Sequence, residues 1–191
     1  MMSNGGVTEL TDPRALRAYA HPVRMKLTGL LRREGPLTAT RAAQLLGESS
    51  GTTSFHLRQL AKYGLVEEAG GGRGREKPWR ATAMFTRLPQ FAATPELADA
   101  SAHVRAVLAG RYHEQIMEWF SRANGEPEVW QRAAPLSDYM LYVTVDELRE
   151  LGEHIDALLR GYATRVADKS ARPEGSRLVT YLNIGLPAAE S

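Results

Sequence analysis

Two short helices separated by four residues, then a strand, a glycine cluster and a second strand, leave this chain few folds to choose from. Thr38 caps a helix carrying Ala42, Leu45 and Leu46, and Gly47 stops it. After the turn Gly47-Glu48-Ser49-Ser50, with Ser49 or Ser50 as the cap, a second helix runs to Gly64. Leu65 to Ala69 reads as a strand, Gly70-Gly71-Gly72-Arg73-Gly74 as a turn, and Lys77 to Thr82 as the returning strand. Upstream, Asp12-Pro13 opens a helix that His21-Pro22 interrupts. The next helix continues to about Glu34 with Val23, Leu27, Leu30 and Leu31 on one face. Helix–helix–turn–helix–hairpin is the element order of a winged helix, and the short inter-helical turn is the helix-turn-helix hallmark.

Beyond Thr94-Pro95-Glu96 a long helix is expected to about Ala123, with Val104, Leu108, Tyr112, Ile116, Trp119 and Ala123 along one stripe. Asn124-Gly125-Glu126-Pro127 breaks it, and a short helix holds Val129 and Trp130. Tyr139 to Val143 is strand-like. Thr144-Val145-Asp146-Glu147 is a capping box opening a helix with Leu148, Leu151, Ile155, Leu158, Leu159 and Tyr162 on one side. Arg177 to Ile184 alternates as a last strand. The fold class expected is therefore α+β, mainly α with a small β part. A winged helix-turn-helix domain over residues 10–88 precedes a region over 93–191 that holds a long dimerisation helix and a small α+β extension.

Charge divides the chain in the same place. Residues 1–90 hold 14 Lys and Arg against 7 Asp and Glu, a balance of +7, while residues 91–191 hold 10 against 15, a balance of −5. A basic half joined to an acidic half suits one part facing a polyanion and another facing something else. No cysteine is present, which excludes disulfides, thiolate metal sites and cysteine nucleophiles. No apolar run approaches the roughly 18 residues of a membrane span, and no signal peptide is visible, so a cytoplasmic protein without a membrane partner is expected. The carboxylates lie on exposed helix faces such as Glu147-Arg149-Glu150-Glu153, and no serine near His56 has an orienting acid in sequence context. Nothing in the pattern points to an enzyme or to a cofactor.

In the second helix of the motif, Thr53, Leu57 and Leu60 recur at helical spacing and should face the core, with His56 at the edge of that face. Opposite them lie Gly51, Phe55, Arg58 and Lys62, flanked by Ser50, Thr52, Ser54 and Gln59. Arg reads guanine, Gln reads adenine, hydroxyls read either, and an apolar ring meets the thymine methyl, so this face suits base edges of double-stranded DNA. The bland alternative is a solvated outer face. The glycine cluster lacks the GK[ST] ending of a phosphate loop and follows a strand without opening a helix. With Arg73, Arg75 and Lys77 it reads instead as a wing tip touching sugar–phosphate or minor groove.

These residues resemble a family. Leu16-Arg17-Ala18-Tyr19-Ala20-His21-Pro22-Val23-Arg24-Met25-Lys26-Leu27 looks like the opening of ArsR-type winged-helix regulators. Ser49 to Leu60, with Thr53, Ser54, His56 and Leu57 in place, is similar to their recognition-helix pattern. Gly64-Leu65-Val66 and Gly74-Arg75-Glu76-Lys77-Pro78-Trp79-Arg80 look like their strand and wing. The resemblance covers roughly residues 10–85 and implies a homodimeric transcriptional regulator, usually a repressor released by an effector. It departs from the metal-sensing members, which place a cysteine pair at the helix here spanning Thr40 to Leu46. It also departs from those that bind zinc on the long helix, because Asp99, His103 and His113 fall out of register and Ile116 occupies the last ligand position. No metal site is therefore expected.

The expectation is a homodimer on a palindromic operator, with Val104, Leu108, Tyr112, Ile116 and Trp119 at the dimer interface and a small-molecule effector as a further partner. Two other readings share the fold. One is a protein–protein adaptor without DNA binding; the other is a small-molecule-binding C-terminal domain tethered to a winged helix.

Overall fold

The computed structural model describes residues 6–72 and 77–189. Residues 1–135 and 136–191 separate into two compact units. The long helix, expected to open the second region, packs with the first.

In the first unit, strand β1 (Val7–Glu9) leads to helices α1 (Pro13–Tyr19) and α2 (Pro22–Glu34). The break between the helices is chemical: Ala20 leaves helical geometry, and Pro22 starts the next helix under a His21 cap. Strand β2 (Leu37–Thr38), α3 (Ala39–Leu46), α4 (Ser50–Lys62), β3 (Val66–Glu68) and β4 (Pro78–Ala81) follow. Thr38 Oγ1 accepts the Arg41 N–H at 3.2 Å to cap α3. Gly47, left-handed at φ 70°, closes α3 by donating its N–H to the Ala43 carbonyl, a geometry that a side chain would strain.

Strands β2, β4 and β3 form an antiparallel sheet in the order β2-β4-β3, with Val66 opposite Ala81 and Glu68 opposite Trp79. A second, two-stranded sheet pairs β1 in parallel with β5 (Phe85–Arg87), Val7 opposite Phe85. Sequence reasoning did not anticipate that pairing. Arg32 of α2 secures it: its Nε donates to the Ala83 carbonyl at 2.9 Å and Nη2 to Thr86 Oγ1 at 2.6 Å. Burial pulls its guanidinium below the usual arginine range.

The core joins Leu16 of α1, Met25, Leu27 and Leu30 of α2, Ala42 of α3, Leu57 and Leu60 of α4, and Leu65 and Val66 at β3. Helix α5 (Pro95–Arg122) completes it, since Ala100, Ser101 and Val104 are buried and α5 lies against α1. Leu97, Val107 and Leu108 pack on the same core. The expected dimer stripe is therefore divided. Val104 is wholly covered by its own chain and offers nothing to a second copy, a correction to its place in the stripe. Tyr112, Ile116 and Trp119 are half-buried, and beyond them Met117 and Phe120 are exposed. A short 3₁₀ turn (Ala123–Gly125) and α6 (Glu128–Ala133) end the unit.

The second unit consists of α7 (Val145–Arg160), α8 (Thr164–Ala167) and a 3₁₀ turn (Lys169–Ala171). The capping box is present: Thr144 donates its N–H to Glu147 Oε2 at 2.7 Å, and Glu147 returns its N–H to Thr144 Oγ1 at 3.2 Å. Tyr139–Val143 and Arg177–Ile184 do not form the strands expected of them. Both segments lack the ladder that defines a strand, and Tyr139, Met140, Tyr142, Leu178 and Tyr181 stand on the surface. The fold remains α+β on the strength of its helices and the small sheets of the first unit.

Candidate nucleic-acid interface

Helix α4 is seated from below and bare above. Thr53, Leu57 and Leu60 are fully buried at helical spacing, and His56 lies with them on the inner face. The sequence placed His56 at the edge of that face; in the fold it is covered. Ser49 caps the helix by accepting the Thr52 N–H on Oγ at 3.0 Å, and its hydroxyl donates to Thr52 Oγ1 at 2.8 Å. The cap fixes where the helix begins, and so which residues point outward.

Those residues are Ser50, Gly51, Thr52, Phe55, Arg58 and Lys62, all exposed, with Ser54 and Gln59 half-exposed beside them. Phe55 is 50% exposed and lies on the outer face of the helix between Thr52 and Arg58. Arg58 Nη1 donates to Ser54 Oγ at 3.1 Å, one turn earlier, which holds the guanidinium along the outer face. Lys62 closes the row with its ammonium 5.6 Å from the Tyr63 ring centroid. The sequence-derived face is thus gathered on one side of one helix, with an apolar ring, a guanidinium and several hydroxyls in reach of a common surface.

The hairpin is only partly described. Arg73 and Arg75 lie outside the described residues. Lys77 is exposed, and its Nζ contacts Glu68 Oε2 at 2.7 Å across the hairpin, beside an Arg80–Glu67 pair at the same distance. Exposed pairs of this kind contribute about 0–1 kcal/mol, so Lys77 is lightly held. On the other helix of the motif, Arg41 is exposed and bonded to Gln44 Oε1 at 3.2 Å. Sequence reasoning passed over that pair, although its spacing after the Thr38 cap was visible.

The reasoning also missed a contact under α4. The His21 and His56 rings meet with centroids 4.5 Å apart, tilted by 39°. Burial, before any charge, holds both imidazoles below their ordinary range; Arg24 adds to this, and Glu48 opposes it. The His21-Pro22 pair hinted at a cap, but nothing in the spacing joined it to His56, 35 positions on.

Among the described residues, no group of three or more His, Asp or Glu side chains is placed to hold a metal ion. No helix among them is long and apolar enough to cross a membrane.

Residues 19–69 match a family model described as a helix-turn-helix domain. The match takes in α2, α3, α4 and β3, the elements that carry the face just described. Among solved structures, the chain is similar to the homodimeric winged helix-turn-helix DNA-binding domain of Mb0332 from Mycobacterium bovis, "a possible ArsR-family transcriptional regulator". Identity there is 25% over 50% of this chain and 76% of that one, with a TM-score of 0.33. RV1404 from Mycobacterium tuberculosis is 18% identical over 60% of this chain and 85% of that one, with a TM-score of 0.32. No curated protein matches the chain. The family model thus covers the helix-turn-helix part of the chain, about a quarter of its length.

Proposed function

We propose that this chain, which carries a helix-turn-helix domain over residues 19–69, is a sequence-specific DNA-binding regulator of transcription and not an enzyme. It acts as a repressor, in the cytoplasm, and as a homodimer on a palindromic operator. The observation that carries the reading is the outer face of α4. A half-exposed Phe55 and an Arg58 steered by Ser54 are the kinds of group a recognition helix presents to the major groove. The wing, with Arg73, Arg75 and Lys77, supplies phosphate contacts that carry no sequence information.

Selection of bound sequences from random duplex DNA tests this directly, and a palindromic consensus is the expected product. Arg58→Ala should then lower affinity for the selected site by about 1–3 kcal/mol and relax one position per half-site. Unchanged binding by that variant would show that α4 does not read bases through this face.

The two-fold contact is assigned to the outer end of α5, where Leu108, Tyr112, Ile116 and Trp119 are joined by the exposed Met117 and Phe120. Leu108 also packs on the core of its own chain, so a change there would confound folding with association. Ile116→Glu is cleaner. An unpaired carboxylate buried in the interface should cost about 3–5 kcal/mol of association and yield a folded monomer by sedimentation. A dimer that survives it would shift the interface to α7, through Leu148 to Tyr162.

Control by a small-molecule effector completes the reading; the groove between β1, β5 and the start of α5, lined by Glu9, Thr11, Arg87, Gln90 and Phe91 among others, is shallow and open to solvent and does not by itself support it.

A further inference from the structure

We infer that His21 and His56 form a proton-sensitive latch that seats the recognition helix α4 on α2, and that acidification releases it and weakens DNA binding. The inference rests on the DNA-binding reading above, and it deepens that reading by naming a regulation of the same helix.

Two nitrogens make the contact sensitive. His21 caps α2 by accepting the Val23 N–H on Nδ1 at 3.2 Å, which requires that nitrogen to be unprotonated. His56 reaches it from α4, and its own Nδ1 is buried with no hydrogen-bond partner among the described residues. A proton on His21 Nδ1 removes the cap acceptor; a proton on His56 Nδ1 adds a donor with nothing to receive it. Protonating both sets two cations on rings 4.5 Å apart.

The groups facing the pair do not neutralise that charge. From α2 comes Arg24, whose Nε is also buried without a partner; from the turn before α4 comes Glu48, which offsets part of it. Tyr63, at the end of α4, faces Arg24. Phe55 lies on the other side of His56, edge to face at 5.3 Å, and adds no charge. Arg24 and Glu48 oppose each other, so each added proton works against the seat of α4 chiefly through burial and, for the second one, through the neighbouring imidazolium.

The sign follows. Both imidazoles are held below the ordinary value of 6.5, so the folded protein prefers them neutral. Stability is full above pH 6.5. As pH falls below it, the unfolded or unlatched chain takes up protons that the folded one resists, and stability declines until the lowered folded values are passed. The consequence reaches DNA because Phe55 precedes His56 directly and Arg58 follows two positions later. A helix that tilts off α2 carries both away from their register.

The test uses the full chain and compares it with His21→Asn/His56→Gln, in which Asn keeps a cap acceptor and neither side chain titrates. Three quantities are followed from about pH 7.5 to about pH 5.5 at fixed ionic strength: the histidine titrations by NMR, the urea midpoint, and the dissociation constant for the selected operator. The wild-type chain should show both histidines titrating below 6.5, a falling urea midpoint, and an operator affinity reduced about tenfold. The double variant should lose less than about threefold in affinity over the same range. Equal pH dependence in the two proteins overturns the proposal, as do histidines that titrate at or above 6.5. If the double variant does not fold, His21→Asn alone should still flatten the urea dependence, and failure to do so counts against the latch. A chain that binds no DNA at any pH overturns the DNA-binding reading and the regulatory part of this proposal together; the NMR and urea curves then decide the latch alone.

Discussion

In the first unit Leu16, Leu27, Leu57 and Leu60 come from three helices and meet with no surface left to solvent. In the second, Leu148, Leu151, Ile155 and Leu158 line one side of α7 at the same helical spacing, yet none of the described side chains of that unit is buried. The local signals are equally good in both. Helix α7 has the fuller N-terminal cap of the two regions, a reciprocal capping box against the single-sided caps of α3 and α4. What differs is the partner. An amphipathic stripe gains roughly 1.5–3 kcal/mol for each large side chain it covers; α2 and α4 bury theirs against each other, whereas the stripe of α7 is covered only in part. Patterning tells a helix which face to hide; it does not provide the surface against which to hide it.

The contrast breaks most sharply at a single leucine. Leu27→Ala should cost about 2–5 kcal/mol in urea unfolding, because it removes a fully buried side chain and leaves a cavity. Leu148→Ala, at a residue 37% exposed, should stay within about 0.5 kcal/mol. If the two cost the same, the second unit is covered in solution by another surface, and a second copy is the first to test by repeating the measurement across protein concentrations.

A smaller effect sharpens the point about caps. Ser49→Ala and Thr144→Ala each delete one side-chain acceptor at a helix start. Each should cost about 1 kcal/mol locally. The first should also lower operator affinity, since it loosens the start of α4. The second should reduce helicity by circular dichroism and leave binding unchanged. Smaller still is the response of α7 to acid. Hydrogen bonds from Thr144, backbone first, hold the Glu147 carboxyl below its ordinary value of 4.5. Its contribution to the helix is present above that value and is lost as pH falls through the folded one. Helicity of α7 should therefore fade only in acid well below the range where the histidines act, and Glu147→Gln should remove that dependence.

Most of the first unit was legible because its information is local. Asp12-Pro13, Thr38 and Gly47 mark helix ends by chemistry that acts within four residues and stand where they were read, and the cap left open between Ser49 and Ser50 falls to Ser49. The outward face of α4 followed from the same periodicity that buries Leu57 and Leu60. What the sequence withheld depends on distant partners. Val7-Thr8-Glu9 has too few residues to show alternation, and its pairing with Phe85-Thr86-Arg87 needs the whole intervening fold. The stripe on α5 is regular along its length, so nothing in it announced that Val104 would join the core while Trp119 would not. Tyr139–Val143 and Arg177–Ile184 have the composition of strands, but a strand is made by its neighbour.

Val7 and Phe85 are 78 positions apart, and the two strands they join are three residues long. Closing so wide a loop for so few hydrogen bonds is entropically poor unless the segment between is already compact. Strand β1 is therefore expected to add to a helix-turn-helix that forms without it, and Arg32, reaching Ala83 and Thr86, fastens the return of the chain from the other side. This corner should close last in folding, and in native-state hydrogen exchange its amides should be among the first to open. The N-terminal strand should thus open as a detachable clasp and leave α2, α3 and α4 standing.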